Sequence, residues 1–193
     1  MSLTPLFSTL TYKSDKPFEI GDDLFKEIKS LPNTKNLTNK ISKDLNVLNQ
    51  YESLKKYCEK HLNYYCKDVL KINNEIFITS SWFNYTDKNE SHHTHNHPNS
   101  IISGVIYFNN NSKICFVRKD EPFCLNLDYF EYNTLNSSTH NMVLNKGELI
   151  FFPSKLNHYV PVNDINETRI SLSFNTFVKG KINENNIISR LEI

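Results

Sequence analysis

After Asn74 the spacing of apolar residues drops to two, and it stays there as far as Val178. "EIFITSSWFNY" alternates and is rich in β-branched and aromatic residues, as a half-buried strand requires. "IISGVIYFNN", "SKICFVR", "CLNLDYFEYNTL", "NMVLN", "GELIFFP", "NHYVPV" and "TRISLSFNTFV" follow, separated by Asn, Ser, Asp, Pro and Gly. Many short strands at close spacing predict an all-β sandwich or barrel. Upstream the period is helical. Leu48, Tyr51, Leu54, Cys58, Leu62, Tyr65 and Val69 recur at three- and four-residue steps and predict one face of a long amphipathic helix that backs the sheet. "IGDDLFKEIKSL" reads as a short helix with acidic residues at its positive end and Pro32 closing it. "NTKNLTNKISKDLN" is polar and reads as a surface loop. The expected organisation is one mainly β domain with N-terminal helices. Residues 1–74 give helical support, 75–180 the β-unit, and 181–193 a tail.

Composition supports a soluble chain with a single core. It has 193 residues, of which 38% are hydrophobic and 12% aromatic. Charges cancel to +1, which argues against nucleic acid or an anionic membrane surface as a partner. No apolar run approaches the roughly 20 residues of a membrane span. The first residues show no basic flank followed by an apolar block, so no signal peptide is read. The four cysteines show no CxxC spacing, which fits reduced thiols and a cytoplasmic location. Cys58 and Cys66 fall on the long helix, where a buried apolar role is expected.

The chemistry concentrates in "HHTHNHPNS", His92 to Ser100. In extended chain alternate residues share a face, so His93, His95 and His97 are expected to point one way, and His92, Asn96 and Pro98 the other. Two imidazoles at i and i+2 can share one metal ion, although exposed histidine clusters also arise without one. Further on, "GELIFFPSKLNHYVPV" places His158 at a strand start. "TRISLSFNTF" then alternates Arg169, Ser171, Ser173 and Asn175 against Ile170, Leu172 and Phe174. Such a polar row fits a polar cavity, or plain solvent exposure. Absent a bulge, Ser103, Val105 and Tyr107 share the parity of His95 and His97. Trp82, Asn84 and Tyr85 end the strand before the histidine run; Asn84 is placed to touch a co-substrate or substrate, and Trp82 has a core role as its alternative. His61 fits packing on the helix, and His140 a loop bordering the cavity. The stretch from Asp120 to His140 is the segment expected to shape a substrate pocket, with Phe123, Tyr129, Phe130 and Tyr132 lining its mouth or forming core.

"HNHPNSIISGVIYFN" followed by "GELIFFPSKLNHYVPVNDINETRISLSFN" resembles the iron(II)/2-oxoglutarate-dependent oxygenases with an HxHP, SGvyY, FPSxLxHxVxP, RxSxSFN pattern, a type found in marine bacteria and their phages. More distantly it is similar to the prolyl hydroxylases. The resemblance covers roughly Trp82 to Asn175. It implies a double-stranded β-helix (a jelly-roll or cupin-like barrel) with Fe(2+) near its open mouth and 2-oxoglutarate beside it. It also implies that His95 and His158 bind iron. Arg169 then pairs with the C5 carboxylate of 2-oxoglutarate, helped by Ser171 and Tyr107. A guanidinium presents a planar fork to a carboxylate, which suits that role. Asn84 joins this co-substrate group, while Trp82, Tyr85, His93 and Asn175 are the expected substrate-pocket residues.

One position departs from the superfamily. The facial triad is two His and one carboxylate, yet His97 stands where the carboxylate usually stands. His97 binds the metal itself, or Asp87 or Glu90 from the preceding loop completes the site, or water does. The implied activity is hydroxylation of an unidentified small molecule or protein side chain, using O2 and releasing succinate and CO2. The alternatives are a three-His cupin-type dioxygenase that does not use 2-oxoglutarate, and a non-catalytic barrel that binds a metal or a carboxylate. A homodimer is compatible with each.

Overall fold

The computed structural model describes residues 6, 8–119, 125 and 127–193. Phe123 and Cys124 lie outside the described residues. The chain begins with β1 (Tyr12–Lys13), α1 (Asp22–Ser30), the hairpin β2 (Asn33–Asn36) and β3 (Asn39–Ser42), and α2 (Glu52–Asn63). Ten strands follow: β4 (Glu75–Thr86), β5 (His92–His95), β6 (Ile102–Tyr107), β7 (Ser112–Val117), β8 (Thr139–Leu144), β9 (Leu149–Pro153), β10 (Asn157–Val160), β11 (Arg169–Lys179), β12 (Lys181–Ile182) and β13 (Leu191–Glu192). A seven-stranded sheet runs in the order β1-β9-β6-β11-β4-β3-β2, and a four-stranded sheet in the order β5-β10-β7-β8. They pack as a jelly roll, with α1 and α2 against the outer face of the larger sheet. Among the described residues no helix is long and apolar enough to cross a membrane.

The alternation predicted from Glu75 sorts side chains into two cores. Ile170, Leu172 and Phe174 of β11 join Ile102 and Ile106 of β6 and Leu149 and Phe151 of β9 on the helical side. There they meet Ile28, Leu54, Cys58 and Leu62. Val105, Tyr107, Ile150 and Phe152 face inward, against Ile114 and Phe116 of the smaller sheet. A sheet buried on both faces reads as a near-continuous apolar run, and β6 is buried at every position. Each large apolar side chain removed from water contributes about 1.5–3 kcal/mol. Gly104 lets the sheet and the aromatic layer close. A Cβ there would sit 2.2 Å from Cζ of Phe174 and 2.9 Å from Phe151.

Three expectations need correction. The polar stretch after Pro32 is not a loop. It forms β2 and β3, with β3 paired to β4 through Lys40 with Tyr85 and Ile41 with Asn84. Residues 1–74 are therefore not purely helical support, because β1, β2 and β3 all extend the larger sheet. A polar edge hairpin carries little period-2 signal, since few of its side chains need an apolar face. The single long helix is broken into a 3₁₀ turn at Val47–Gln50, α2, and a π segment at Tyr64–Val69. The π segment bonds Leu70 N–H to the Tyr65 carbonyl five residues back. That extra residue per turn rotates Val69 out to 40% exposure and packs Leu70 on the core instead. In the tail, β12 and β13 pair as a small antiparallel ladder.

Candidate metal centre

Strand pairing brings the distal histidine to the histidine run. β10 lies between β5 and β7, with His158 directly opposite His95. His97 follows the end of β5, and its backbone N–H is fixed by the Ser154 carbonyl at 2.9 Å. The His97 ring lies parallel to that of His158, with centroids 5.1 Å apart and planes at 6°. Trp82 stacks near His97, at 5.9 Å between centroids. One ring nitrogen from each of His95, His97 and His158 falls within 4.8 Å of the others.

The tautomers are arranged for ligation. Nδ1 of His95 lies 2.8 Å from the His93 carbonyl, and Nδ1 of His158 lies 3.0 Å from the Leu156 carbonyl. A carbonyl only accepts, so both Nδ1 atoms carry the proton and both Nε2 atoms keep a free lone pair. Carbonyl partners of this kind fix ring orientation in metal sites. Nε2 of His97 and Nε2 of His158 are 3.3 Å apart. Two imidazoles bound at about 2.1 Å with angles of about 90–110° would hold their nitrogens about 3.0–3.4 Å apart, so the spacing fits a shared ion. Burial, reinforced by repulsion among the rings, pushes His158 down to about 3 and His97 to about 4. His95 also falls, again chiefly through burial. Near neutral pH the rings are the uncharged, ligating form.

The parity expected within the run fails at one step. His92, not His93, turns into the cavity. It stacks on His95 with centroids 4.3 Å apart, and burial lowers it to about 3. His93 is exposed. The reason is a bulge: His95 pairs with His158 and His92 with Val160, so three steps along β5 match two along β10. Nitrogens of His92, His93 and His95 also lie within 4.8 Å of one another, but His93 does not line the cavity.

The polar row of β11 forms the other wall. Arg169, Ser171 and Ser173 line a narrow cavity, partly open to solvent, together with Trp82, Asn84, Tyr107 and His92, His95, His97 and His158. Ser171 sits between Asn84 of β4 and Tyr107 of β6. Nδ2 of Asn84 donates to Ser173 Oγ at 2.9 Å, and Trp82 Nε1 donates to Asn84 Oδ1 at 3.2 Å. Asn175 accepts from Ser103 Oγ at 3.2 Å and, beside His97, works against the fall in that ring's pKa. Tyr107 is 2% exposed. Burial raises its pKa, so its hydroxyl remains a donor.

Arg169 is 9% exposed. Its guanidinium donates to the Pro161 carbonyl at 3.2 Å. Among the described residues no carboxylate lies within ion-pair distance of it. Burial lowers its pKa, opposed by the nearby Tyr107 and Asp164. A buried cation without an ion-pair partner costs several kcal/mol, so this end of the cavity is built to receive an anion.

Several expected residues are not at the site. Tyr85 faces the other way, 3% exposed in the helix-side core, with its hydroxyl donating to the Ile28 carbonyl at 2.8 Å. It alternates with Asn84 and Thr86 along β4, which explains its side. Asp87 does not complete a metal site: Lys40 Nζ and Thr168 Oγ1 hold its carboxylate at 2.5 and 2.6 Å. Glu90 accepts from the Asp87 N–H at 2.8 Å, and neither acid lines the cavity. His140 is exposed on β8. Phe130 and Tyr132 are exposed, at 105% and 68%, and form no core. Conversely, His92, Thr86 and Asn39 line the cavity without having been expected there. His92 needed the bulge, and Asn39 needed the unforeseen hairpin.

Residues 80–175 match a family model described as "Putative 2OG-Fe(II) oxygenase". The span runs from β4 to β11 and includes every histidine and arginine of the cavity wall. Among solved structures, the chain is similar to HygX from Streptomyces hygroscopicus, solved with nickel, 2-oxoglutarate and hygromycin B bound. The TM-score is 0.63 and the identity 10%, over 87% of this chain and 82% of that one. It is similar to an oxidoreductase of the 2OG-Fe(II) oxygenase family from Burkholderia pseudomallei at TM-score 0.58 and 14% identity, over 86% and 83%. A prolyl-4-hydroxylase from Pseudomonas putida follows at TM-score 0.51 and 15% identity, over 79% and 84%. At such identities the likeness shows the shared jelly-roll fold. No curated protein matches the sequence.

Proposed function

We propose that this chain, whose residues 80–175 match the 2OG-Fe(II) oxygenase family model, is an oxygenase of that kind and hydroxylates a small molecule or a protein side chain. The observation that carries the reading is the meeting, in one cavity, of three neutral imidazoles and a buried guanidinium that pairs with no carboxylate among the described residues. His95, His97 and His158 would hold iron(II). Bound there, iron(II) supplies oxidation of a substrate C–H bond by O2, coupled to conversion of 2-oxoglutarate into succinate and CO2.

The chain's own residues do the rest. Arg169 offers its free guanidinium donors to the distal carboxylate of 2-oxoglutarate, and the Ser171 and Tyr107 hydroxyls add donors beside it. Three neutral ligands leave the cation its full charge, which favours a dianionic co-substrate over a neutral one. Asn84, locked between Trp82 and Ser173, presents its remaining amide hydrogen to the cavity. Trp82 and Asn175 flank His97 and hold that ring in place. These two are the substrate-facing positions. The test is anaerobic titration of the iron(II) protein with 2-oxoglutarate. A charge-transfer band near roughly 500 nm, which needs chelation by the keto acid, is expected, followed by succinate release on admitting O2. Iron binding without that band would defeat the reading.

A further inference from the structure

Asn39 lies on β3, outside the strands that carry the histidines and Arg169. Its side chain is 2% exposed and lines the same cavity. Its Oδ1 accepts from Asn36 Nδ2 at 3.2 Å. Its Nδ2 has no partner, and among the described residues it is the one buried side-chain nitrogen or oxygen left so. Buried polar groups are nearly always satisfied, and each exception calls for a cause. Leaving an amide donor unpaired costs roughly as much as losing a hydrogen bond.

Register shows where this donor sits. Lys40 pairs with Tyr85 and Ile41 with Asn84, so the next step along the same ladder sets Asn39 beside Thr86. Thr86 in turn pairs with Arg169. Asn39, Thr86 and Arg169 thus form a row across three adjacent strands, at the end of the cavity where the guanidinium has no ion-pair partner among the described residues. A buried N–H donor without a partner and a cation without a carboxylate among the described residues, side by side in one row, suit one group: acceptor-rich for the amide and negatively charged for the guanidinium.

We infer that Asn39 is a co-substrate-binding residue, whose Nδ2 donates to the distal carboxylate of 2-oxoglutarate alongside Arg169. The inference rests on the proposed function and deepens it. It makes the polar N-terminal hairpin part of the binding site, and it gives a reason for burying an amide that finds no protein partner. A carboxylate has about four acceptor positions, enough for Arg169 and an amide together.

The test uses the metal-loaded full chain and calorimetric titration with 2-oxoglutarate, and separately with 2-oxopentanoate, which keeps the keto acid but lacks the distal carboxylate. Asn39→Leu keeps the volume and removes the donor; Asn39→Ala is the second variant. Affinity for 2-oxoglutarate should fall roughly tenfold in either, while that for 2-oxopentanoate stays at the wild-type value. The melting temperature without ligand should hold or rise, because an unsatisfied buried donor is gone. Asn36→Ala, which breaks the Asn36–Asn39 bond but leaves Nδ2, should bind both keto acids like wild type. Unchanged 2-oxoglutarate affinity in both Asn39 variants, or an equal loss for the two keto acids, overturns the role of Asn39 and leaves the proposed function standing. Absence of 2-oxoglutarate binding by the wild type would overturn both.

Discussion

Replacing Arg169 with methionine should move ligand affinity and stability in opposite directions. Methionine is unbranched and fills much of the space of the arginine stem, so packing is largely kept. What disappears is a guanidinium 9% exposed, donating to Pro161 and to no carboxylate among the described residues. A charge-assisted hydrogen bond is worth about 1.5–3 kcal/mol, and a tenfold change in affinity is about 1.4 kcal/mol. Loss of one such bond should therefore weaken 2-oxoglutarate binding between roughly tenfold and a hundredfold. Without ligand, however, the wild type bears the desolvation cost of that cation, which is several kcal/mol for an unpaired ion. Removing it should leave the ligand-free melting temperature unchanged or raise it. For a chain of this size about 1 kcal/mol shifts the melting temperature by about 2–4 °C. Differential scanning calorimetry with and without 2-oxoglutarate, on the metal-loaded protein, reads both effects. Arg169→Lys should recover part of the affinity, because an ammonium keeps the charge but not the planar fork. If affinity and ligand-free stability fall together, Arg169 is a structural residue and the argument from its missing partner is wrong.

Further outcomes follow from the same geometry. His158→Ala should abolish iron(II) binding measured by metal analysis after desalting, whereas His93→Ala, which removes an exposed ring outside the cavity, should leave it near wild type. Gly104→Ala must displace the Phe174 ring, which stands 2.2 Å from the new methyl; overpacking of this kind costs about 1–3 kcal/mol and should appear as a lower urea midpoint with unchanged slope. The Lys40 and Thr168 hydrogen bonds hold the Asp87 carboxyl below its ordinary pKa. That stabilisation is present above the unfolded-state value and is lost as pH falls through the depressed one. Asp87→Asn should therefore be less stable than wild type at neutral pH, and the gap should close in acid, as urea unfolding at several pH values would show.

The barrel was legible because the central strands of the larger sheet, β6, β9 and β11, have two apolar or cavity-facing sides with different partners. Ile170, Leu172 and Phe174 announce one face by their repetition, and Arg169, Ser171 and Ser173 announce the other by their polarity. His158 was expected to share a metal ion with His95 only through the order of motifs; their direct cross-strand pairing depends on strand register, which no local pattern contains. The parity of His92 and His93 was misread because a bulge adds one residue to β5, and a bulge leaves no mark in the composition of a run that is histidine on both faces. Asn39 escaped for a related reason. β2 exposes polar side chains at the edge of the sheet, and β3 carries polar residues even at its buried positions, Asn39 and Ser42, so nothing in their period separates strand from loop. Val69 was lost to a π turn, which shifts helical phase by one residue without any proline or glycine to signal it.

Fold and site are specified by one alternation, and that has an energetic consequence for β11. Slipping this strand by one residue against β4 and β6 would carry Arg169, Ser171 and Ser173 into the helix-side core and push Ile170, Leu172 and Phe174 into the cavity. Three large apolar residues, each 0% exposed, would lose burial worth about 1.5–3 kcal/mol apiece, and a guanidinium would enter an apolar layer with no donor satisfied. The polar wall therefore costs the barrel little register specificity. It adds to it, because every polar residue facing the cavity is also a residue that cannot face the helices. The exception is β5, where a bulge lets His92 and His95 share one side against Val160 and His158. That strand is short, lies at the edge of the smaller sheet and buries no large apolar side chain, so register there is weakly specified by the core. It is also the strand that carries His95 and leads into His97. A metal ion bridging His95, His97 and His158 would itself pin β5 to β10, so the metal-free protein should lose backbone amide protection first along His92–His95, and regain it on metal binding, as hydrogen exchange would register.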